Sequence, residues 1–284
     1  MIVAHLTNGF GNNLFQYIAS KLLATYHEQE LAIIPPSRDY YGIENLKDLG
    51  LDFKDFKYEP AQPAQPAQQT IFVNENNYKL CYNKKYKDYN FELKGYFEDY
   101  TFYKESIDTI KSWFPEINKH QNNDLVIHFR AGDRLFYKNE FDYKPSVEDY
   151  INAVQQFDFE NLHIVTDMPN WDYITAENLE SMKFHVNVPT QDRMPIKKSV
   201  SYFNSCVEGL SKFNPIYKKR NVYEDFNFIR SFDKILFVHG TLAWWAAVLS
   251  DAKKVGVHGP WRAWKGASNK NLSNVNIEGW FKWA

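Results

Sequence analysis

A histidine, an arginine and an aspartate lie close together where one apolar run of the sequence stops. The segment is Leu125-Val-Ile-His-Phe-Arg-Ala-Gly-Asp133, which contains His128, Arg130 and Asp133. A guanidinium is a fork-shaped donor that matches two phosphate oxygens at once, so Arg130 at the end of a buried strand could hold a pyrophosphate. The alternative is structural, namely an ion pair between Arg130 and Asp133 that closes a loop.

The sequence around this segment alternates between strand and helix patterns, which predicts an α/β fold with a parallel sheet and crossover helices. We predict strands at 125–129, 162–165, 184–188, 235–238 and 254–257, with helices at 147–157, from about 169, at 222–232 and at 242–249. Ser146 and Asp149 form a capping pair for the helix at 147–157. Residues 189–221 are expected to form a long loop.

In such sheets, ligands bind beyond the carboxyl ends of the strands. Polar and charged residues are concentrated at these predicted ends: His128, Arg130, Asp133, Thr166, Asp167, His239, Gly240, Thr241, His258 and Arg262. A phosphate-bearing ligand fits them best. Arg130 would be the fork, and the amides at the start of the helix at Leu242 would form a neutral cradle with the Thr241 hydroxyl. Asp167 would suit a donor-rich group such as the edge of a guanine.

The first part of the chain predicts a strand at 2–6, a glycine turn and a helix. Asn12 or Asn13 could cap that helix, whose first turn would then offer amides to an anion. Leu14 stands where the third glycine of a dinucleotide fingerprint would be, which argues against an NAD site. A plain strand–turn–helix connection is the alternative to an anion-binding loop.

Length and charge limit the other classes of function. A chain of 284 residues can form two domains, predicted at 1–120 and 121–284. Its net charge of −2 gives no reason to expect a nucleic acid or an anionic membrane as partner. The two cysteines lack metal spacing and favour a reducing compartment, although a disulfide remains an alternative. We expect no signal peptide and no integral membrane segment.

Several nucleotide and metal motifs are missing from the sequence. It contains no GxxxxGK[ST] segment, which excludes the common nucleotide triphosphatases. It also contains no Asp-x-Asp pair, and the nearest approximations, Glu140-Phe-Asp142 and Asp158-Phe-Glu160, are of a kind common in solvated loops. A departing pyrophosphate would therefore be stabilised by arginine and a helix dipole, without a metal.

Two further stretches have unusual composition. A threefold PAQ repeat at 60–68 predicts a surface loop in polyproline II conformation. Near the end of the sequence, aromatic rings are concentrated at Trp261, Trp264, Trp280, Phe281 and Trp283. They could stack on sugars, but we favour a terminal segment that docks back on the first domain.

Four segments, in order, resemble the motifs of GDP-fucose-dependent fucosyltransferases of the α1,2/α1,6 superfamily, and in particular the bacterial α1,2-fucosyltransferases of glycosyltransferase family 11. Gly9-Phe-Gly-Asn-Asn-Leu-Phe-Gln-Tyr17 is similar to GxGNQxFQY, Gly95-Tyr-Phe-Glu-Asp-Tyr100 to GYFQS, His128-Phe-Arg-Ala-Gly-Asp133 to HxRRGD, and Gly240-Thr-Leu-Ala-Trp-Trp-Ala246 to STFSWWGA. Thr166-Asp-Met-Pro-Asn-Trp171 is similar to SDDxxW.

This resemblance implies a GT-B fold, in which two Rossmann-like domains face each other across a cleft. It implies an inverting, metal-independent transfer of L-fucose from GDP-fucose to a hydroxyl of a glycan acceptor, with the donor bound mainly by the C-terminal domain. No cofactor is implied beyond the donor itself. The habitual setting of such enzymes is bacterial polysaccharide biosynthesis, in the cytoplasm or at the periphery of the inner membrane.

The family's roles can be carried over residue by residue. Arg130 would bind the pyrophosphate with His128 as its neighbour, and Asp133 and Glu140 are the candidates for the general base, together with Asp142. The expected donor-binding residues are Gly11, Asn12, Thr166, Asp167, Gly240, Thr241 and Leu242.

The chain departs from the family pattern at a few positions. Ala131 replaces the second arginine, Asn13 replaces a glutamine, Met168 replaces the second aspartate, and His239-Gly240 replaces Asn-Ser. Two alternatives therefore stay open: a transferase for another GDP-hexose or GDP-deoxyhexose, and a non-catalytic glycan-binding descendant.

Overall fold

The computed structural model describes residues 1–7, 9–35, 69–138, 144–184, 188–258, 275 and 277–283. The chain divides into two compact units, Met1–Glu116 and Ile117–Ala284. Each unit contains a parallel sheet with helices between its strands, so the chain is an α/β protein. The PAQ repeat at 60–68, together with Glu140, Asp142, Trp261, Arg262 and Trp264, lies outside the described residues.

The first unit has a four-stranded parallel sheet in the order β2-β1-β4-β3. Its strands are β1 (Ile2–His5), β2 (Leu31–Ile34), β3 (Thr70–Val73) and β4 (Asn90–Leu93), and the α-helices within its described residues are α1 (Phe10–His27) and α2 (Ile107–Ser112). Helix α1 is buried around most of its circumference, since 14 of its 18 residues are buried, and it packs against β1 and β2.

Helix α1 starts earlier than the sequence suggested. Gly9 is its N-cap with an extended backbone, and the N–H of Asn13 donates to the carbonyl of Gly9 at 3.1 Å. Asn12 and Asn13 therefore lie inside the first turn, and the prediction that one of them caps the helix is wrong. The prediction depended on a side chain that could cap the helix, whereas glycine can occupy the N-cap position without one.

The second unit has a six-stranded parallel sheet in the order β7-β6-β5-β8-β9-β10. Its strands are β5 (Leu125–Phe129), β6 (Leu162–Thr166), β7 (Ile216–Tyr217), β8 (Lys234–Phe237), β9 (Lys254–His258) and β10 (Phe281–Trp283). Its helices are α3 (Val147–Gln155), α4 (Ala176–Ser181), α5 (Ile196–Ser211), α6 (Val222–Arg230) and α7 (Thr241–Leu249). Strands β5, β6 and β7 follow one another towards one edge of the sheet, and β8, β9 and β10 follow one another towards the other edge. The order in which strands are added thus reverses between β5 and β8, as in the doubly wound Rossmann fold.

The register brings the carboxyl ends of the central strands to one level. Phe129 at the end of β5 pairs with Thr166 at the end of β6, and His128 pairs with Phe237 at the end of β8. The residues that follow these strands therefore share one edge of the sheet. A ligand is expected at this edge, beside the switch point between β5 and β8.

Two helix starts in this unit follow from their sequences. Ser146 and Asp149 form a reciprocal capping box at α3, as predicted, and Asn221 and Glu224 form another at α6. In each case the side chain of the cap satisfies a first-turn N–H, and the acidic residue returns a bond to the N–H of the cap.

The predicted loop at 189–221 is wrong, because it contains the 16-residue helix α5 and the short strand β7. Phe203, Cys206, Val207 and Leu210 of α5 are buried at helical spacing. The polar first turn of this helix hid that period.

The helix predicted near 169 begins instead at Ala176, where the side chain of Thr175 caps it. The predicted strand at 184–188 is not formed at its two ends, and 185–187 lie outside the described residues. Strand β7 lies at that edge of the sheet, beside β6.

The terminal aromatic segment belongs to the second unit. Strand β10 pairs with β9, and the Trp283 ring lies 5.3 Å from Tyr150 and 4.9 Å from His258, centroid to centroid. Phe281 and Trp283 therefore pack within the second unit, on a parallel partner strand and its hydrophobic core, and their predicted docking on the first domain stays a prediction.

Both cysteines, Cys81 and Cys206, are free and buried. Among the described residues, no helix combines the length and apolar character needed to cross a membrane.

Candidate functional site

Arg130 is the first residue after β5, and two carboxylates hold its guanidinium. Its Nη2 lies 2.9 Å from Asp133 Oδ1, and its Nη1 donates to Asp167 Oδ2. The predicted Arg130–Asp133 ion pair is therefore present, although it is only half of the arrangement. About a third of the arginine side chain (35%) remains exposed, so an anion from solvent can reach a guanidinium that is already oriented.

Asp167, the residue after β6, organises the arginine loop. While its Oδ2 accepts from Arg130, its Oδ1 accepts from the backbone N–H of Ala131 at 2.8 Å. Gly132 follows with φ +37°, and a Cβ at this position would overlap the Asp167 carboxylate. The glycine of this motif is thus required by both backbone conformation and space. Each oxygen of Asp167 thus accepts one hydrogen bond within the protein, which positions Arg130, and its predicted contact with a donor stays a prediction.

His128 lies under this loop and is almost completely buried. Burial, with a smaller contribution from the positive charge of Arg130, lowers the pKa of His128 to about 3. The imidazole is therefore neutral near pH 7 and is a poor acceptor for a proton from a hydroxyl group. Its Nδ1 is buried and has no hydrogen-bond partner among the described residues. A buried polar atom of this kind needs an explanation, and a ligand is one.

Gly240 faces His128 from the next strand of the sheet. It is the N-cap of α7 with φ +151°, a conformation that favours glycine, and a Cβ there would lie 3.5 Å from His128 Cε1. Thr241 and Leu242 form the first turn of α7 and are half-buried. The amides of that turn are at the carboxyl edge of the sheet, where a helix N-terminus favours an anion.

Helix α7 is held firmly behind this edge. Both of its tryptophans, Trp244 and Trp245, are fully buried, and the indole N–H of Trp244 donates to the carbonyl of Val275 at 2.7 Å. The N-terminus of α7 is therefore fixed by packing of the helix and not by a side-chain cap, which it lacks.

Two departures from the family pattern have a local explanation. Met168 and Ala131 are buried in the same hydrophobic cluster of the second unit. Thr166 Oγ1 accepts the N–H of Met168 at 3.2 Å, which shapes the turn after β6. A second aspartate or arginine at these positions would need a charge partner inside the core.

Sequence reasoning missed Asp225, in the first turn of α6. Burial raises the pKa of this carboxyl to about 7, with smaller contributions from the charges of Glu224 and Asp167, while Arg220 opposes the shift. Its Oδ1 lies 3.9 Å from Arg220 Nη1. The capping box at Asn221 could have indicated it, because a helix that starts after a strand of this sheet brings its first turn to the carboxyl edge.

In the first unit, Gln16 joins two of the segments that carry the family resemblance. Its Oε1 accepts the N–H of Thr7 at 2.8 Å, and its Nε2 donates to Thr7 Oγ1 at 2.7 Å and to the carbonyl of Gly95 at 2.9 Å. Gly11 is buried and Asn12 half-buried in the adjacent first turn of α1. Their predicted contact with a donor stays a prediction.

The structure thus brings His128, Arg130, Asp133, Thr166, Asp167, Gly240, Thr241 and Leu242 to one sheet edge of the second unit. It places Gly11 and Asn12 in the first unit, and Glu140 lies outside the described residues. No protein-family model and no curated protein matches the chain.

Proposed function

We propose that the chain is an inverting, metal-independent glycosyltransferase that moves L-fucose from GDP-fucose to a hydroxyl of a glycan acceptor. The two α/β units would be the two domains of a GT-B fold, with the donor on the second and the acceptor on the first. The enzyme would act in bacterial polysaccharide biosynthesis, on the cytoplasmic side of the membrane.

One observation carries this proposal. Arg130 is an oriented, partly exposed guanidinium at the switch point of a doubly wound parallel sheet. Asp133 and Asp167 hold it from two directions, so little conformational entropy is lost when an anion binds. The first turn of α7, which follows the neighbouring strand β8, adds backbone N–H groups that can donate hydrogen bonds to an anion. Together they form a site for a diphosphate.

The chemistry follows from where charge develops. When the bond from the anomeric carbon to the diphosphate breaks, the electron pair goes to the phosphate oxygen, and a fixed arginine and helix amides stabilise that negative charge. The acceptor oxygen attacks from the opposite face, which inverts the anomeric configuration. With an oxocarbenium-like transition state, the hydroxyl needs only weak assistance from a base.

Neutral His128 does not suit the role of base, because its pKa is about 3. Asp133 is engaged with Arg130 and serves to orient it. Glu140 remains a proposed base together with Asp142. His128 instead offers its Nδ1 atom beside Gly240, as a hydrogen-bonding partner for a polar group of GDP-fucose.

The second candidate is a transferase for another GDP-hexose or GDP-deoxyhexose. It is favoured by Ala131, which is fully buried where the family has its second arginine, so this position offers no guanidinium to the diphosphate. A third possibility, a non-catalytic glycan-binding descendant, would keep the fold without releasing GDP.

The test is release of GDP from GDP-fucose in the presence of a glycan acceptor, with Arg130→Ala as the variant. We expect the turnover number to fall about 100- to 1,000-fold, because the arginine stabilises the leaving group. Arg193→Ala is the matched control, since Arg193 is also half-buried but its Nε donates only to the carbonyl of Val188 at 2.7 Å. Near-normal turnover of Arg130→Ala would overturn the proposal.

A donor screen separates the candidates. Thermal unfolding is followed with GDP-fucose, GDP-mannose and UDP-sugars, because a ligand that binds the folded chain raises its melting temperature by mass action. Stabilisation by GDP-fucose supports the first candidate, and stabilisation by GDP-mannose alone supports the second. Stabilisation by UDP-sugars alone contradicts both. Binding without GDP release in the presence of acceptors indicates the non-catalytic descendant.

A further inference from the structure

Two histidines and an aspartate converge at the opposite edge of the second unit's sheet. Asp124 immediately precedes β5, His163 is in β6, and His120 lies four residues before Asp124 in a segment that forms neither helix nor strand. The Nε2 atoms of His120 and His163 lie 2.7 and 3.0 Å from the same oxygen, Asp124 Oδ2. One ligand atom from each residue lies within 4.8 Å of the other two.

The carboxylate of this cluster is fixed by its other oxygen. Asp124 Oδ1 accepts from the backbone N–H of Asn161 at 3.1 Å and from its side-chain amide at 2.9 Å. Asp124 is almost completely buried, with 1% of its side chain exposed. Oδ2 is therefore directed at the two imidazoles, in the way that a supporting hydrogen bond orients a metal ligand.

Aromatic packing fixes the two imidazole rings as well. The His120 ring stacks on Phe232 with centroids 4.1 Å apart and planes 13° from parallel. His163 makes edge contacts with Phe228 and Phe232 at 5.6 and 5.2 Å. Both rings are thus held by neighbours on one side and present Nε2 to the carboxylate.

We propose that His120, Asp124 and His163 form a binding site for a divalent transition-metal ion, with zinc as the ion to test. Imidazole nitrogen and carboxylate oxygen are ligands that zinc prefers, at about 2.0–2.2 Å. In a tetrahedral site such bonds separate the ligand atoms by about 3.3 Å. The observed separations from Asp124 Oδ2 are a few tenths of an ångström shorter, and all three ligand atoms lie within 4.8 Å of one another. Side-chain rotations that move the two Nε2 atoms away from the carboxylate oxygen and towards each other would admit the ion.

The exchange of protons is simple. Without an ion, each imidazole shares its Nε2 proton with Asp124 Oδ2. When the ion binds, each ring releases its Nε2 proton to solvent, takes up a proton from solvent at Nδ1 and offers the Nε2 lone pair to the metal, so both imidazoles remain neutral. The His120 side chain is 22% exposed, which gives the ion a path to the site and lets a water molecule complete the coordination.

The position of the site assigns it a structural role. Asp124 and Arg130 lie at opposite ends of β5, and a five-residue strand separates its ends by roughly 17 Å. The ion would link the segment before β5 to β6 without reaching the arginine edge. This inference is therefore independent of the proposed transfer reaction, which needs no metal.

The experiment uses the full chain, freed of metal by a chelator and titrated with zinc chloride alone. We expect one zinc ion per chain with a dissociation constant of about 1 µM or below, and a rise in melting temperature. Magnesium chloride at the same concentration should give no such rise, because Mg²⁺ prefers oxygen ligands.

Two variants and a control locate the site. His120→Phe keeps the ring stacked on Phe232 but removes a ligand, and it should weaken zinc binding at least ~10-fold. Asp124→Asn, which retains the shape and an acceptor oxygen, should do the same and covers the case in which one variant fails to fold. His5→Gln is the control, because His5 is equally exposed (22%) and pairs with only one carboxylate, Glu92, at 2.7 Å. Its zinc affinity should equal that of the unaltered chain.

Absence of stoichiometric zinc binding by the unaltered chain would overturn the proposal. Equal zinc affinity in a folded His120→Phe or Asp124→Asn chain would do so as well. Neither measurement involves a nucleotide sugar, so failure here leaves the transferase proposal to its own test.

Discussion

Asp167, the residue after β6, links that strand to β5, because its carboxylate accepts hydrogen bonds from the Arg130 guanidinium and from the loop that follows β5. One oxygen accepts from Arg130, and the other accepts the N–H of Ala131 at 2.8 Å. The arginine and the backbone that carries it are therefore positioned by a single carboxylate, 37 residues away in sequence. Asp167, which the sequence predicts as a ligand contact, also holds the side chain beside it.

Asp167→Asn tests this relationship. Asparagine retains an oxygen for the N–H of Ala131 but removes the charge that fixes the guanidinium, so we expect the dissociation constant for GDP-fucose to rise roughly 10-fold, about 1.4 kcal/mol. Calorimetric titration measures it. Asp172→Asn is the control, because Asp172 is exposed and caps only the N–H of Tyr173. Unchanged donor affinity in Asp167→Asn would contradict a positioning role.

Gly132→Ala should destabilise the folded chain by about 1–3 kcal/mol and abolish donor binding. The new Cβ would have to displace the Asp167 carboxylate, and the positive φ adds backbone strain. Gly279→Ala separates the two effects, since Gly279 has φ +89° and nothing within 4 Å of an added Cβ. Denaturant unfolding of both variants gives the comparison. A smaller cost at Gly132 than at Gly279 would argue against the steric explanation.

The Asp225 carboxyl should reduce stability as pH rises. Its pKa is about 7 in the folded chain, against the ordinary aspartate value of 3.8, so the folded state binds its proton more tightly. The resulting stabilisation is fully present below pH 3.8 and is lost as pH rises to about 7. Asp225→Asn does not ionise, so its melting temperature relative to the unaltered chain should increase between pH 4 and 7.5. A difference in melting temperature that does not change with pH, like that expected for the exposed Asp172→Asn, would show that burial does not raise the pKa of Asp225.

Gln16→Ala should destabilise the first unit by about 1–3 kcal/mol. The truncation leaves the carbonyl of Gly95 and the N–H of Thr7 without the partner that joins them. Faster amide hydrogen exchange at Thr7, with a lower melting temperature, is the expected result. Gln121→Ala provides the comparison, because Gln121 is exposed and bonds only to the carbonyl of Lys119. Equal effects of the two substitutions would mean that the junction adds no stability.

The sequence was most informative where local signals agreed. Strand β5 and the capping box at Ser146 were predicted correctly, because a mainly apolar run and a reciprocal pair of caps each depend on neighbours in the chain. Helix α5 was missed because its apolar period starts only after a polar first turn. Strand β7 has two residues, and its place depends on pairing with β6, which no local pattern encodes.

The candidate site was only partly predictable for the same reason. A shared sheet edge for Arg130 and Asp167 followed from the rule for parallel strands. Their direct contact did not, because it depends on the turn that Gly132 permits. The cluster of His120, Asp124 and His163 lies near the starts of β5 and β6. The rule for parallel sheets predicts ligands only at the carboxyl ends of strands, so it does not predict this cluster.

The strand order also determines when the site can form. Strands β5 and β8 are neighbours, yet the chain between them includes two other strands and four helices and is on the order of 100 residues long. Contacts that close so long a segment form slowly during folding. We therefore expect His128 and Gly240 to meet late, after much of the intervening chain has folded. In a refolding experiment, the ability to bind an anion at this edge should return after the helical signal, as a late reporter of the complete sheet.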